Sequence, residues 1–85
     1  MSRTATGKIK TLNARKEGLF FGLTGNHKTK AGLFFVPLTH PNYDTYASLL
    51  IAVGVGSYRE IKVYTEVPMN EDVYVPINYI DLMAE

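Results

Sequence analysis

The tetrapeptide Gly-Leu-Phe-Phe occurs twice in this chain, at Gly18 to Phe21 and at Gly32 to Phe35, with a polar, glycine-bearing stretch between the two copies. Successive side chains of a β-strand point to opposite faces, so each Phe-Phe pair buries one ring and aims the other away from that core. Two neighbouring strands then each carry a phenylalanine on the face opposite the core. Such a surface suits binding or assembly better than catalysis.

The stretch Gly25-Asn26-His27-Lys28-Thr29-Lys30 supplies Gly and Asn for positive φ and reads as the loop of a hairpin. If that loop centres near Lys28, Phe21 falls opposite Phe34 and joins Leu19, Leu23, Val36 and Leu38 as core. Phe20 and Phe35 then face outward. A one-residue change of register pairs Phe20 with Phe34 on the outer face instead, so Phe20 is outward in both. Gly18 and Gly22 flank Phe20 on its own face and leave its ring uncovered by neighbours in the same strand, so the ring either receives a ligand or packs under a loop or against another subunit, the latter making the protein a structural oligomer without a ligand.

The hairpin sits within a longer order. Gly7 to Asn13 alternates, with Ile9 and Thr11 on one side and Lys8 and Lys10 on the other, and predicts a first, half-buried strand. Glu17 to Thr24 is the second strand and Ala31 to Leu38 the third. Pro41 is pre-set for a first helical turn, Asn42 or a preceding polar residue can cap it, and Asp44 suits the N-terminal dipole. A helix is expected over about 42–53, closed by Gly54 and Gly56. Arg59 to Val67 alternates again, Pro68 to Glu71 turns, and Asp72 to Leu82 is the last strand. The fold expected is mainly β with one helix, a five-stranded OB-like Greek-key barrel in the order β-β-β-α-β-β, with the helix plugging one end. An open antiparallel sheet with the helix across one face is the competing arrangement.

With 85 residues, one domain spanning 1–85 is expected, with residues 1–6 a flexible tail. A domain of this size buries only about 60–65% of the surface its unfolded chain exposes and benefits from a disulfide, a metal or a partner. Cysteine is absent, which removes disulfides and thiolate metal sites together. Oligomerisation is the support that the helix favours: from Thr45 through Tyr58 there is no charged side chain, whereas a surface helix normally carries charge on one face. Tyr43, Tyr46, Ala47, Leu50 and Val53 follow helical spacing toward the core, while Leu49, Ile51 and Ala52 extend the apolar surface around the cylinder. Thr45, Ser48, Ile51, Ala52 and Val55 are the candidate interface of a homo-oligomer.

Charge is unevenly placed along the chain. Residues 1–40 hold seven Lys or Arg against Glu17 alone, a net +6, and residues 41–85 hold Arg59 and Lys62 against seven acids, a net −5. The basic half contains both Phe-Phe strands. Phe20, Phe35, Lys8 and Lys10 are therefore the candidate ligand-binding residues, in the pattern of aromatics among cations that single-stranded nucleic acid needs. Neutralisation across the surface by interleaved strands is the alternative reading of the same charges.

Catalysis finds little to work with. His27 falls in the hairpin loop and His40 before Pro41, and nothing places them with a carboxylate as a metal triad. Ser48 and Ser57 lack a strained strand-to-helix turn, Glu71 and Asp72 point apart as neighbours in an extended segment, and Gly54-Val55-Gly56 follows a helix rather than a strand. No catalytic residue, metal or cofactor is expected. No run of membrane-spanning length is present and the first residues lack the apolar run of a signal peptide, so the chain as written reads as cytoplasmic; a secreted domain stripped of its leader reads the same way.

Two resemblances add to this. Gly7-Lys8-Ile9-Lys10-Thr11-Leu12-Asn13-Ala14-Arg15-Lys16 resembles the opening of a cold shock domain, and the resemblance implies nucleic-acid contacts at Lys10, Lys16, Phe21 and Phe34. Phe21-Gly22-Leu23, Phe35 to Tyr43, Tyr46 to Ala52 and Ile77-Asn78-Tyr79-Ile80 together resemble small secreted bacterial OB-type proteins similar to the pentameric receptor-binding subunits of toxins such as subtilase cytotoxin. That likeness implies a non-catalytic subunit of a ring, a pentamer, with its helices near the centre and glycans bound on the barrel.

Overall fold

The computed structural model describes residues 3–83. In chain order these form β1 (Arg3–Arg15), β2 (Gly18–Leu23), a 3-10 turn (Lys30–Gly32), β3 (Leu33–Pro37), α1 (Tyr43–Val53), β4 (Glu60–Thr65), β5 (Val75–Pro76) and β6 (Tyr79–Leu82). The protein is mainly β with one helix, and its strands make one sheet in the order β5-β3-β2-β1-β4-β6.

The long first strand organises that sheet. Residues 3–8 of β1 pair antiparallel with β4, from Arg3 opposite Thr65 to Lys8 opposite Glu60, and residues 9–15 pair with β2. Residues 3–6, expected as a flexible tail, are laddered against β4; residues 1 and 2 lie outside the described residues. The handover lies at Gly7 and Lys8. The end of β2 crosses here, with the Thr24 N–H donating to the Lys8 carbonyl (2.8 Å) and the Lys8 N–H to Thr24 Oγ1 (2.9 Å). A Cβ at Gly7 would run into the Thr24 carbonyl oxygen, so glycine permits the crossing.

A β-bulge follows between Ile9 and Thr11. Strict alternation would place Thr11 beside Ile9. The extra residue turns Lys10 and Thr11 both outward, and both are exposed, while Ile9 and Leu12 face the core.

The hairpin keeps Phe21 opposite Phe34, Leu19 opposite Val36 and Phe20 opposite Phe35. Phe21 and Phe34 are fully buried and their ring centroids lie 6.0 Å apart. Leu38 departs from the expected core set and is 55% exposed. The strand stops at Pro37, and Leu38 begins the turn in which the His40 N–H reaches the Pro37 carbonyl.

The expected fifth strand is two strands, giving six. β5 pairs parallel with β3, and β6 pairs antiparallel with β4, from Ile61 opposite Leu82 to Tyr64 opposite Tyr79. Between them the chain changes partner: the Ile77 N–H still donates to Phe35, and the next N–H, of Asn78, donates to Tyr64 (2.6 Å). The two outermost strands of the sheet are thus joined by two residues. This curls the sheet into a half-barrel, an arrangement compatible with a β-barrel.

Helix α1 spans almost the expected residues. Asn42 is its N-cap, and it closes at Gly54, whose φ of +83° suits glycine and whose N–H donates to the Leu50 carbonyl. Leu50 is buried in the core with Ile9, Phe21, Phe34, Val36, Ile61, Val63, Val75 and Ile77, and Tyr43, Tyr46, Ala47, Leu49 and Val53 pack against that cluster. Each such large apolar side chain, fully buried, contributes about 1.5–3 kcal/mol.

Candidate functional site

The outer face of β2 and β3 holds a second aromatic group, separate from the core. Phe20 and Phe35 are cross-strand neighbours, and their rings stack with centroids 4.8 Å apart and planes within 10°. The Tyr74 ring meets Phe20 edge-on at 5.1 Å. Above them lies Arg15, the last residue of β1, with its guanidinium 4.7 Å from the Phe20 ring and 5.4 Å from the Tyr74 ring. Lys30 places its ammonium 5.0 Å from the Tyr74 ring.

Phe20 faces outward as the alternation requires, yet it is only 2% exposed. Its ring is therefore covered by other segments, the packed arrangement of the two expected, and is not itself an open binding ring. The flanking glycines do leave it bare within its own strand, but Arg15, Phe35 and Tyr74 arrive from other segments and close over it. Phe35 stays half-buried. Sequence reasoning passed over Arg15, Lys30 and Tyr74; the alternation that puts Val75 in the core puts Tyr74 on the opposite side, a signal that was there to use.

Lys8 and Lys10 part company at the bulge. Lys10 leans over Gly22, where a Cβ would stand 3.4 Å from its Cε, and so shares the face of Phe20 and Phe35. Lys8 lies on the half of the sheet built with β4, its ammonium 5.7 Å from the Tyr58 ring. On the same half Tyr64 and Tyr79 stack at 4.3 Å, with the Lys62 ammonium 5.3 Å from the Tyr64 ring. Phe21 and Phe34, two of the contacts implied by the cold shock resemblance, are core, whereas Lys16 is exposed in the β1–β2 turn.

All five candidate interface residues of α1 and its exit, Thr45, Ser48, Ile51, Ala52 and Val55, are exposed, with Ile51 at 65% and Val55 at 56%. Beside this face runs a groove of ≈ 360 Å³ lined by Leu49, Ala52, Val53, Ser57, Arg59 and Leu82. The buried Nε of Arg59 has no hydrogen-bond partner in it. The groove thus joins the helix face to Leu82 of β6 through a mixed lining that includes Ser57 and Arg59.

A second cleft, of ≈ 490 Å³, lies between the turn before α1 and the β5–β6 junction, with Thr39, His40, Pro76, Asn78 and Tyr79 among its walls. His40 is committed to the backbone here. Its Nδ1 accepts from the Asn42 N–H (3.0 Å), which leaves the proton on Nε2 to be donated to the Asn78 carbonyl (2.6 Å). It ties the start of the helix to the point where the last segment changes partner, and its ring meets Tyr46 edge-on at 5.1 Å. His27 donates to the Thr24 carbonyl (3.0 Å) and stands edge-on to Phe34. The two histidines thus serve separate loops, and among the described residues no three His, Asp or Glu side chains gather as a metal site. Compared with protein-family models, curated proteins and solved structures, the chain matches none of them.

Proposed function

We propose that this protein is a non-catalytic, self-associating binding module of the OB type, with its ligand on the wall of the barrel. The observation that carries the self-association is the helix face: Thr45, Ser48, Ile51, Ala52 and Val55 are exposed without a charge among them. Covering the exposed parts of Ile51 and Val55 alone contributes about 3 kcal/mol per copy. A second copy presents the same exposed residues and can cover them in a symmetric contact.

The OB reading is supported by the pairings. One long strand serves both halves of the sheet, the helix falls between the third and fourth strands, and the last segment pairs first with β3 and then with β4. Non-catalytic function is supported by the use of both histidines as backbone clamps. The ring-forming toxin subunits that the sequence resembles extend the reading to a pentamer that binds glycans or a receptor. The cleft at Tyr79 supports that extension, since this ring is 45% exposed and backed by Tyr64.

Sedimentation velocity at tens of micromolar tests the assembly. The wild-type protein should run as an oligomer, and Ile51→Glu should run as a monomer that circular dichroism shows to be folded, with a lower melting temperature because the interface is lost. A monomeric wild type at that concentration overturns the proposal.

A further inference from the structure

The aromatic face of β2 and β3 carries three cations that the protein leaves unneutralised. Arg15 rests on the Phe20 and Tyr74 rings, Lys30 on Tyr74, and Lys10 beside Gly22. Among the described residues none of the three is ion-paired, and none of their side chains donates a hydrogen bond. A guanidinium whose only partners are aromatic rings keeps its N–H donors free for an oxyanion.

The spread of these charges argues for a chain of anions. Arg15 stands over Phe20, Lys30 over Tyr74 and Lys10 beside Gly22, three separate cationic points on one face, more than a single phosphate or carboxylate uses. The half-buried Phe35 ring on the same face adds a stacking surface that a plain polyanion leaves unused. Stacking needs an unpaired base, which favours a single strand over a duplex.

We infer that this face binds single-stranded nucleic acid, with Arg15, Lys30 and Lys10 on phosphates and Phe35 under a base. The inference rests on the reading of the chain as a binding module; it does not need the helix face, which belongs to another surface. It also departs from the contacts that the cold shock resemblance implies, keeping only Lys10 of that set.

The test is fluorescence anisotropy with a labelled oligothymidylate of about twelve nucleotides, within the span one OB domain covers. Each phosphate contact on a single strand adds about −0.7 to the slope of log K against log salt, so three cations predict about −2 and a loss near 20-fold between 50 and 200 mM salt. Arg15→Gln with Lys30→Gln should bring the slope to about −0.7, and Phe35→Ala should weaken binding at least fivefold at constant salt. Lys62→Gln, on the other half of the sheet, should change neither.

An abasic strand of the same length should bind more weakly by the Phe35 factor; equal binding overturns the single-strand assignment in favour of a plain polyanion. Binding indifferent to the Arg15 and Lys30 substitutions overturns the site, as does absence of binding at 50 mM salt or preference for a neutral oligosaccharide. Circular dichroism of each variant establishes that it is folded; should Phe35→Ala fail that check, Phe35→Leu takes its place. Native mass spectrometry of the same samples counts subunits, so failure of this site and failure of self-association are read separately.

Discussion

Replacing Phe20 by Ala removes a ring that lies outside the main core and is still 2% exposed. Loss of a buried phenylalanine costs about 3–5 kcal/mol. The low end applies here, because the space left is bounded by the movable side chains of Arg15 and Tyr74 and can partly collapse, so about 3 kcal/mol is expected. The neighbour across the strand is half-buried, and Phe35→Ala should cost about 1.5–2 kcal/mol. The stacked pair, with centroids 4.8 Å apart, should show a coupling of about 1 kcal/mol in a double-mutant cycle. A domain of this length has about 4–13 kcal/mol of total stability, so the single variants fold at low temperature, and Phe20→Leu, at about 1–1.5 kcal/mol, provides a milder step on the same scale. Urea unfolding followed by far-ultraviolet circular dichroism measures each value, with the m-value required to stay constant. A cost below about 1 kcal/mol for Phe20→Ala together with no coupling to Phe35 would refute the reasoning, since it would mean that Arg15 and Tyr74 do not keep the ring covered in solution.

Other substitutions test the backbone. Gly18 has φ of +153° and its Cβ would run into the Val36 carbonyl oxygen, so Gly18→Ala should cost at least about 3 kcal/mol or prevent folding. Gly32 has φ of +69° with nothing within 4 Å of an added Cβ, and Gly32→Ala should cost only about 1–2 kcal/mol, measured in the same urea series. His40→Ala removes the partner of the Asn42 N–H and the Asn78 carbonyl, both exposed to water, and should lower stability by about 0.5–1.5 kcal/mol; hydrogen exchange should show the loss first at the start of α1 and at the β5–β6 junction, and a uniform loss would count against the clamp.

Much of this architecture was legible in local pattern. The repeated Phe-Phe dipeptides place one ring on each face wherever a strand forms, and Phe20 is outward in either register that the polar loop allows. The helix was readable from its spacing, its Pro41 and Asn42 start and its Gly54 stop, and the exposure of Ile51 followed from which side Leu50 takes. These are properties of residues close in sequence, and chain geometry is enough to decide them.

Other features depend on contacts between distant segments. The bulge that sends Lys10 and Thr11 to the same face arises next to the crossing of β2 over β1 at Gly7 and Thr24. The split of the last strand reflects a change of partner from β3 to β4 at Ile77 and Asn78, which no run of alternating residues announces. The cover on Phe20 comes in part from Tyr74, far along the chain. Alternation along the sequence by itself put the two rings of each Gly-Leu-Phe-Phe repeat on opposite faces and Phe20 outward; which ring of the second repeat joins it, and whether an outward ring is open or sealed, were decided only by the tertiary structure, because register and burial depend on what lies across from a strand or a face, and that is supplied by residues the local pattern does not contain.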